Sequence, residues 1–124
     1  ATADLAVTAM EGIMGKFPDG VAIICSNNDD MAIAAASTAK KNPAYANTIF
    51  LGFDGQLSAC EAIANGELTM SAAQNNYDIG YKAVEEMVRV LQGGEPKDFV
   101  DTGTEIVTKD NANERIERMS GYLK

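Results

Sequence analysis

The 124-residue sequence predicts an α/β fold, a three-layer open sheet of mainly parallel strands. Three observations carry that prediction. Short runs rich in β-branched residues, at 21–25 and 48–53, alternate with longer stripes at helical spacing. Each run ends in a polar turn: Ser26-Asn27-Asn28-Asp29-Asp30 after the first, Asp54-Gly55-Gln56 after the second, and Gln74-Asn75-Asn76 after a third run at 68–73. The first run is apolar throughout rather than alternating, which predicts a strand covered on both faces, and the second reads as another buried strand. The pattern opens on a helix and contains only four strands, so the sheet is expected to be incomplete and to lack its first strands.

Residues 3–17 carry Ala3, Ala6, Val7, Met10, Ile13, Met14 and Phe17, the i, i+3, i+4, i+7 stripe of an amphipathic helix. Thr2 is its expected N-cap, and Pro18-Asp19-Gly20 ends it. After the strand at 21–25, a helix is expected over 29–41. Asn27 or Asn28 caps it, Asp29 and Asp30 suit the positive end of its dipole, and Asn42-Pro43 stops it. Its inner face is thin, made of Ala32, Ala35, Ala36 and Ala39. The strand at 48–53 leads into a shorter helix over 57–65, with Leu57, Cys60, Ile63 and Ala64 inward and Gly66 just past its end.

The third strand, at 68–73, precedes a long helix over 78–92. Ile79, Ala83, Val84, Met87, Val88 and Leu91 form its stripe, and Glu85 is placed to pair with Arg89. Gly93-Gly94 and Pro96 end it. Residues 99–108 read as extended, and Asp110 is expected to cap a last helix over 111–120 anchored by Ile116 and Met119.

One domain is expected from the length. The net charge of −8 argues against nucleic acid as a partner, because such binding rests on neutralising phosphates with Lys and Arg. No apolar run approaches the roughly 20 residues of a membrane-spanning helix. The chain begins Ala-Thr-Ala, which suggests a processed or cut product. There is no His, so the commonest general base and metal ligand is missing, and neither an enzyme nor a metal site or cofactor is expected. Cys25 and Cys60 read as buried free thiols, with a disulfide between them left open.

Asn28, Asp54 and Gln74 each stand at the carboxyl end of a strand, where open α/β sheets bind ligands. Their amide and carboxylate groups supply both donors and acceptors, the mixture a polyol requires. The plain alternatives are that Asn28 only caps a helix, Asp54 only makes a turn and Gln74 only ends a strand. Asp29 and Asp30 could form an acidic metal pair as in flavodoxin-like phospho-acceptors, but helix capping explains them. No phosphate-binding glycine loop, Walker spacing or G-x-S-x-G elbow occurs.

Several stretches in register resemble one family. They are Asn28-Asp29-Asp30-Met31-Ala32, Gly52-Phe53-Asp54-Gly55, Cys60-Glu61-Ala62-Ile63 with Gly66-Glu67-Leu68, Ala72-Ala73-Gln74, and Leu91-Gln92-Gly93-Gly94-Glu95. Together they resemble the C-terminal part of type I periplasmic sugar-binding proteins of ABC transporters, the ribose- and galactose-binding kind. Sensor domains of LacI-type transcription regulators share the fold and are the alternative. Gly55 after the Phe53-Asp54 pair favours the transporter branch.

The resemblance implies two α/β lobes closing on a monosaccharide, of which residues 1–124 would form part of one. Asn28, Asp54 and Gln74 would hydrogen-bond sugar hydroxyls, with Asn75 in reserve. It implies a membrane permease as partner of the full-length protein. It also implies a periplasmic or extracytoplasmic location, as a lipoprotein in a Gram-positive cell. The family's N-terminal lobe, its ring-stacking aromatics and its sugar-gripping arginines have no counterpart here, so affinity is expected to be weak or nil. Residues 78–103 would pack on the missing lobe, and their bare apolar stripe is expected to drive homo-oligomer formation.

Overall fold

The computed structural model describes residues 2–122, so the ends of the lobe expected over 1–124 lie outside the described residues. It consists of two compact units. The first takes the chain up to Ala73 and again from Ile106; the second is Gln74–Glu105.

The chain runs α1 (Ala3–Lys16), β1 (Ile23–Cys25), α2 (Asp29–Ala39), a 3-10 turn (Pro43–Tyr45), β2 (Ile49–Asp54), α3 (Leu57–Ala64), β3 (Met70–Gln74), α4 (Asn76–Leu91), β4 (Thr104–Val107) and α5 (Ala112–Tyr122). The strands form one sheet in the order β1-β2-β3-β4. β1 pairs parallel with β2 through Ile23↔Ile49 and Cys25↔Leu51, and β2 pairs parallel with β3 through Leu51↔Met70 and Asp54↔Ala73. The α/β class and the open, mainly parallel sheet are as the sequence predicts.

The helix caps follow local chemistry. Thr2 Oγ1 accepts the Leu5 N–H at 3.4 Å, and Asn28 Oδ1 accepts the Met31 N–H at 3.0 Å. Met10 and the alanine face of α2 enter the core with Phe50, Cys60, Ile63 and Val107. The small alanines let α2 lie close on β2: a Cβ on Gly52 would sit 3.3 Å from that of Ala32. The Tyr45 hydroxyl donates to the Phe17 carbonyl at 2.7 Å, tying the 3-10 turn to the end of α1.

Within the first unit, α1 packs on α2, α2 on β2 and α3, and α3 on α5. This layer covers the sheet face that carries Phe50, Gly52, Ser71, Ala73 and Val107. The alternate residues face away from it. Ile23 is 51% exposed, and Ile49, Phe53, Ile106 and Cys25 are also exposed. The expectations of a strand covered on both faces at 21–25 and of a buried strand at 48–53 are therefore corrected. Cys25 is not a buried thiol, and no disulfide joins it to Cys60.

Two further corrections concern the C-terminal third. Glu86, not Glu85, pairs with Arg89, because Glu86 also receives the Lys97 N–H at 2.9 Å from the segment that follows the helix. Asp110 does not cap α5. The Asn111 carbonyl accepts the Arg115 N–H at 3.1 Å, so Asn111 holds the capping position. Its side chain bridges the Thr108 N–H and the Ile106 carbonyl.

The second unit is α4 with the segment after it. Lys82 Nζ donates to the Asp101 carbonyl at 2.7 Å, and Arg89 donates to the Glu95 carbonyl. No residue of α4 is buried. Tyr77 stacks on Tyr81 with ring centroids 6.1 Å apart, and Leu91 is 79% exposed.

Candidate functional site

Parallel pairing puts the carboxyl ends of β1, β2 and β3 on one edge of the sheet. Asn28 stands three residues past β1 with an extended backbone, φ −150°, as α2 begins. Its Oδ1 is used by the helix cap, whereas its Nδ2 donates to nothing among the described residues. The capping role and a ligand-facing role are thus compatible, since they use opposite ends of one amide.

Asp54 is the last residue of β2 and is half-buried. Its φ is +113°, and among the described residues it is the one non-glycine with positive φ. Such a backbone costs on the order of 1–3 kcal/mol and persists where its surroundings enforce it. Asp54 pairs in register with Ala73, and Gln74 follows Ala73 as the first residue of the second unit. Gln74 is half-buried. Asn75, the reserve position, caps α4: its Nδ2 donates to Asp78 Oδ2 at 2.9 Å and its Oδ1 faces the Asp78 N–H at 3.5 Å. Asn28 and Asp54 therefore share the strand-end edge of the first unit, and Gln74 belongs to the second.

Three residues that sequence reasoning did not count among the ligand-binding candidates lie behind Asp54. Asp29, weighed as half of an acidic metal pair and explained by helix capping, is 0% exposed. Its Oδ2 accepts the Gln56 N–H at 2.8 Å, and its Oδ1 accepts the Ser71 hydroxyl at 2.6 Å. Ser71 Oγ in turn accepts the Gly55 N–H at 3.1 Å. Arg115, 6% exposed, donates through Nε to the Gly55 carbonyl at 3.2 Å.

Burial pushes the Asp29 carboxyl above its ordinary value. The hydrogen bonds from Ser71, Gln56 and Gly55 pull it the other way, and the charge of Asp54 adds to the rise. Asp29 does not pair with Asp30, which is exposed, and among the described residues no three His, Cys, Asp or Glu side chains are arranged to hold a metal. One sequence signal for Asp29 existed. Gly52 sits inside a strand, and a Cβ there would lie 2.2 Å from Asp29 Oδ1, the kind of close approach that an interior strand glycine marks.

A groove of about 580 Å³ borders Asn28, with Thr2, Asp30, Ile33 and Ser58 in its wall. Another, of about 320 Å³, lies at the opposite edge of the sheet beside Lys40, Thr48, Glu67 and Thr69. Only the first adjoins a strand-end candidate.

A family described as the periplasmic binding protein domain matches residues 1–95. The ribose import binding protein RbsB of Salmonella typhimurium is 32% identical over 87 residues, covering 70% of this chain and 29% of that protein. The chain thus spans less than a third of the length of that relative. Among solved structures, an ABC transporter solute-binding protein of Mycobacterium smegmatis with bound glycerol superposes with a TM-score of 0.76 at 32% identity, covering 90% of this chain and 38% of that one. A Caulobacter myo-inositol binding protein bound to myo-inositol gives a TM-score of 0.81 at 27% identity, covering 95% and 41%.

Proposed function

The chain belongs to the periplasmic binding protein domain family, and from that premise we propose that it contributes to sugar recognition in the solute-binding component of an ABC transporter. In this reading it is part of one lobe of a two-lobe protein, and residues 78–103 pack on the other. Asn28, Asp54 and Gln74 hydrogen-bond the hydroxyls of a monosaccharide or related polyol. Asn28 donates through Nδ2, Asp54 accepts through its carboxylate, and Gln74 offers both.

The observation that carries the proposal is the shared edge. Two adjacent parallel strands end toward the same edge, β1 leading to the amide of Asn28 and β2 ending at the carboxylate of Asp54, and a hydroxyl both donates and accepts. The kinship with a ribose import protein and a myo-inositol binder supports the polyol class. Ligand pockets bury most of a small ligand's surface, whereas this edge meets it from one side, so affinity is weak, in the millimolar range or above.

Delivery to a membrane permease, and a periplasmic or lipoprotein-tethered location, belong to the same proposal and rest on kinship. As an isolated chain it associates with itself through the bare face of α4.

Saturation-transfer NMR tests the ligand class. Ribose, galactose and myo-inositol are offered beside glycine and inorganic phosphate. Transfer to the polyols, lost in Asp54→Ala, is the expected result. Transfer to none of them, or only to glycine or phosphate, overturns the reading.

A further inference from the structure

We propose that Asp29, Ser71 and Arg115 are positioning residues, a buried clamp that holds the Asp54-Gly55-Gln56 turn in its strained form and so sets how Asp54 meets a ligand. The functional half of this inference rests on the sugar-binding reading above; the conformational half does not.

The turn offers three backbone groups to the core, and each is taken by one of these side chains. The Gly55 N–H goes to Ser71, the Gln56 N–H to Asp29, and the Gly55 carbonyl receives Arg115. Ser71 and Asp29 are joined by their own bond, so β3 and α2 close on the turn from two directions. A carboxylate suits the position of Asp29 because both of its oxygens must accept, Oδ1 from Ser71 and Oδ2 from the Gln56 N–H. The fit is tight: a Cβ on Gly55 would lie 2.2 Å from the Ala73 Cβ and 2.8 Å from the Arg115 guanidinium, and its φ is +69°. The strained backbone of Asp54 is thus flanked by a turn whose next two residues are fixed by buried side chains.

A residue that binds only in its strained form loses apparent affinity in proportion to the fraction of time it relaxes. Removing one member of the clamp leaves buried groups unpaired and lets the turn relax, so sugar binding weakens by roughly tenfold.

The experiment compares wild type with Ser71→Ala, Asp29→Asn and, as a control of ordinary core destabilisation, Ile63→Val. The one-bond Cα–Hα coupling of Asp54, which distinguishes positive from negative φ, and relaxation dispersion at residues 54–56 are read in each. Ribose affinity is read by saturation transfer. Expected is loss of the positive-φ signature, or new exchange at 54–56, in Ser71→Ala and Asp29→Asn but not in Ile63→Val, with affinity falling in parallel. A turn unchanged in both clamp variants overturns the clamp. A turn that relaxes while ribose affinity stays the same overturns the positioning role. If wild type contacts no polyol and the turn still relaxes in the variants, the sugar reading falls and the clamp stands.

Discussion

The Ser71 hydroxyl donates to Asp29 Oδ1 at 2.6 Å, joining the third strand to the first turn of the second helix across 42 residues of sequence. Both groups are wholly buried, and both also bind the turn that follows Asp54. A polar network in a small core is stabilising only when every member is satisfied. Here no buried side-chain nitrogen or oxygen among the described residues lacks a partner.

Gly52→Ala is expected to destabilise the protein by about 3 kcal/mol, at the upper end of overpacking costs, because the new Cβ meets Asp29 Oδ1 at 2.2 Å. Urea unfolding followed by circular dichroism measures this. A change under 0.5 kcal/mol would mean that α2 does not lie against β2 as described.

Hydrogen bonds from Arg89, then the Lys97 N–H, hold the Glu86 carboxyl down to about 2, well below its ordinary 4.5. A depressed carboxylate contributes stability above its unfolded value and loses it as pH falls through the folded one. The stability contributed by the ionised Glu86, through Arg89 and the Lys97 N–H, is therefore complete above pH 4.5 and is lost toward pH 2. Carbon-detected NMR titration of the Glu86 carboxyl reads the midpoint directly. Arg89→Ala should move it back toward 4.5.

The two thiols should react differently. Cys25 is exposed and Cys60 is wholly buried. A thiol reagent is expected to modify one equivalent rapidly and the second only in denaturant. Two rapid equivalents would place Cys60 outside the core.

The face of α4 carrying Tyr77, Tyr81, Val84 and Leu91 is exposed. Light scattering at high micromolar concentration is expected to show a dimer or larger species, and the double variant Val84→Asp, Leu91→Asp a monomer. A wild-type monomer at that concentration contradicts association.

Local features were legible in the sequence because local chemistry decides them. The Asn28 cap, the alanine face of α2 and the turn after Gly66 each depend on a few neighbouring residues. The faces of the strands were not. An all-apolar run such as 21–25 looks the same whether one side or both are covered, and Ile23 is left exposed because the first unit's helices lie on the other face. Glu86 was passed over for Glu85 because its advantage comes from Lys97, eleven residues on. Of the candidate site, the strand-end positions of Asn28, Asp54 and Gln74 could be read from pattern. The clamp behind Asp54 could not, since Asp29, Ser71 and Arg115 meet only in the folded chain. An acidic residue at the start of a helix is ordinarily explained by the helix dipole.

The most direct test of the account is an amide-detected NMR titration of the chain with ribose up to roughly 100 mM, a range in which millimolar binding saturates. Shifts concentrated at the Asn28 side-chain amide, at Asp54–Gln56 and at Gln74 are the predicted result. Shifts confined to the opposite edge around Lys40 and Glu67, or none at any concentration, would contradict the claim that this strand-end edge recognises a sugar.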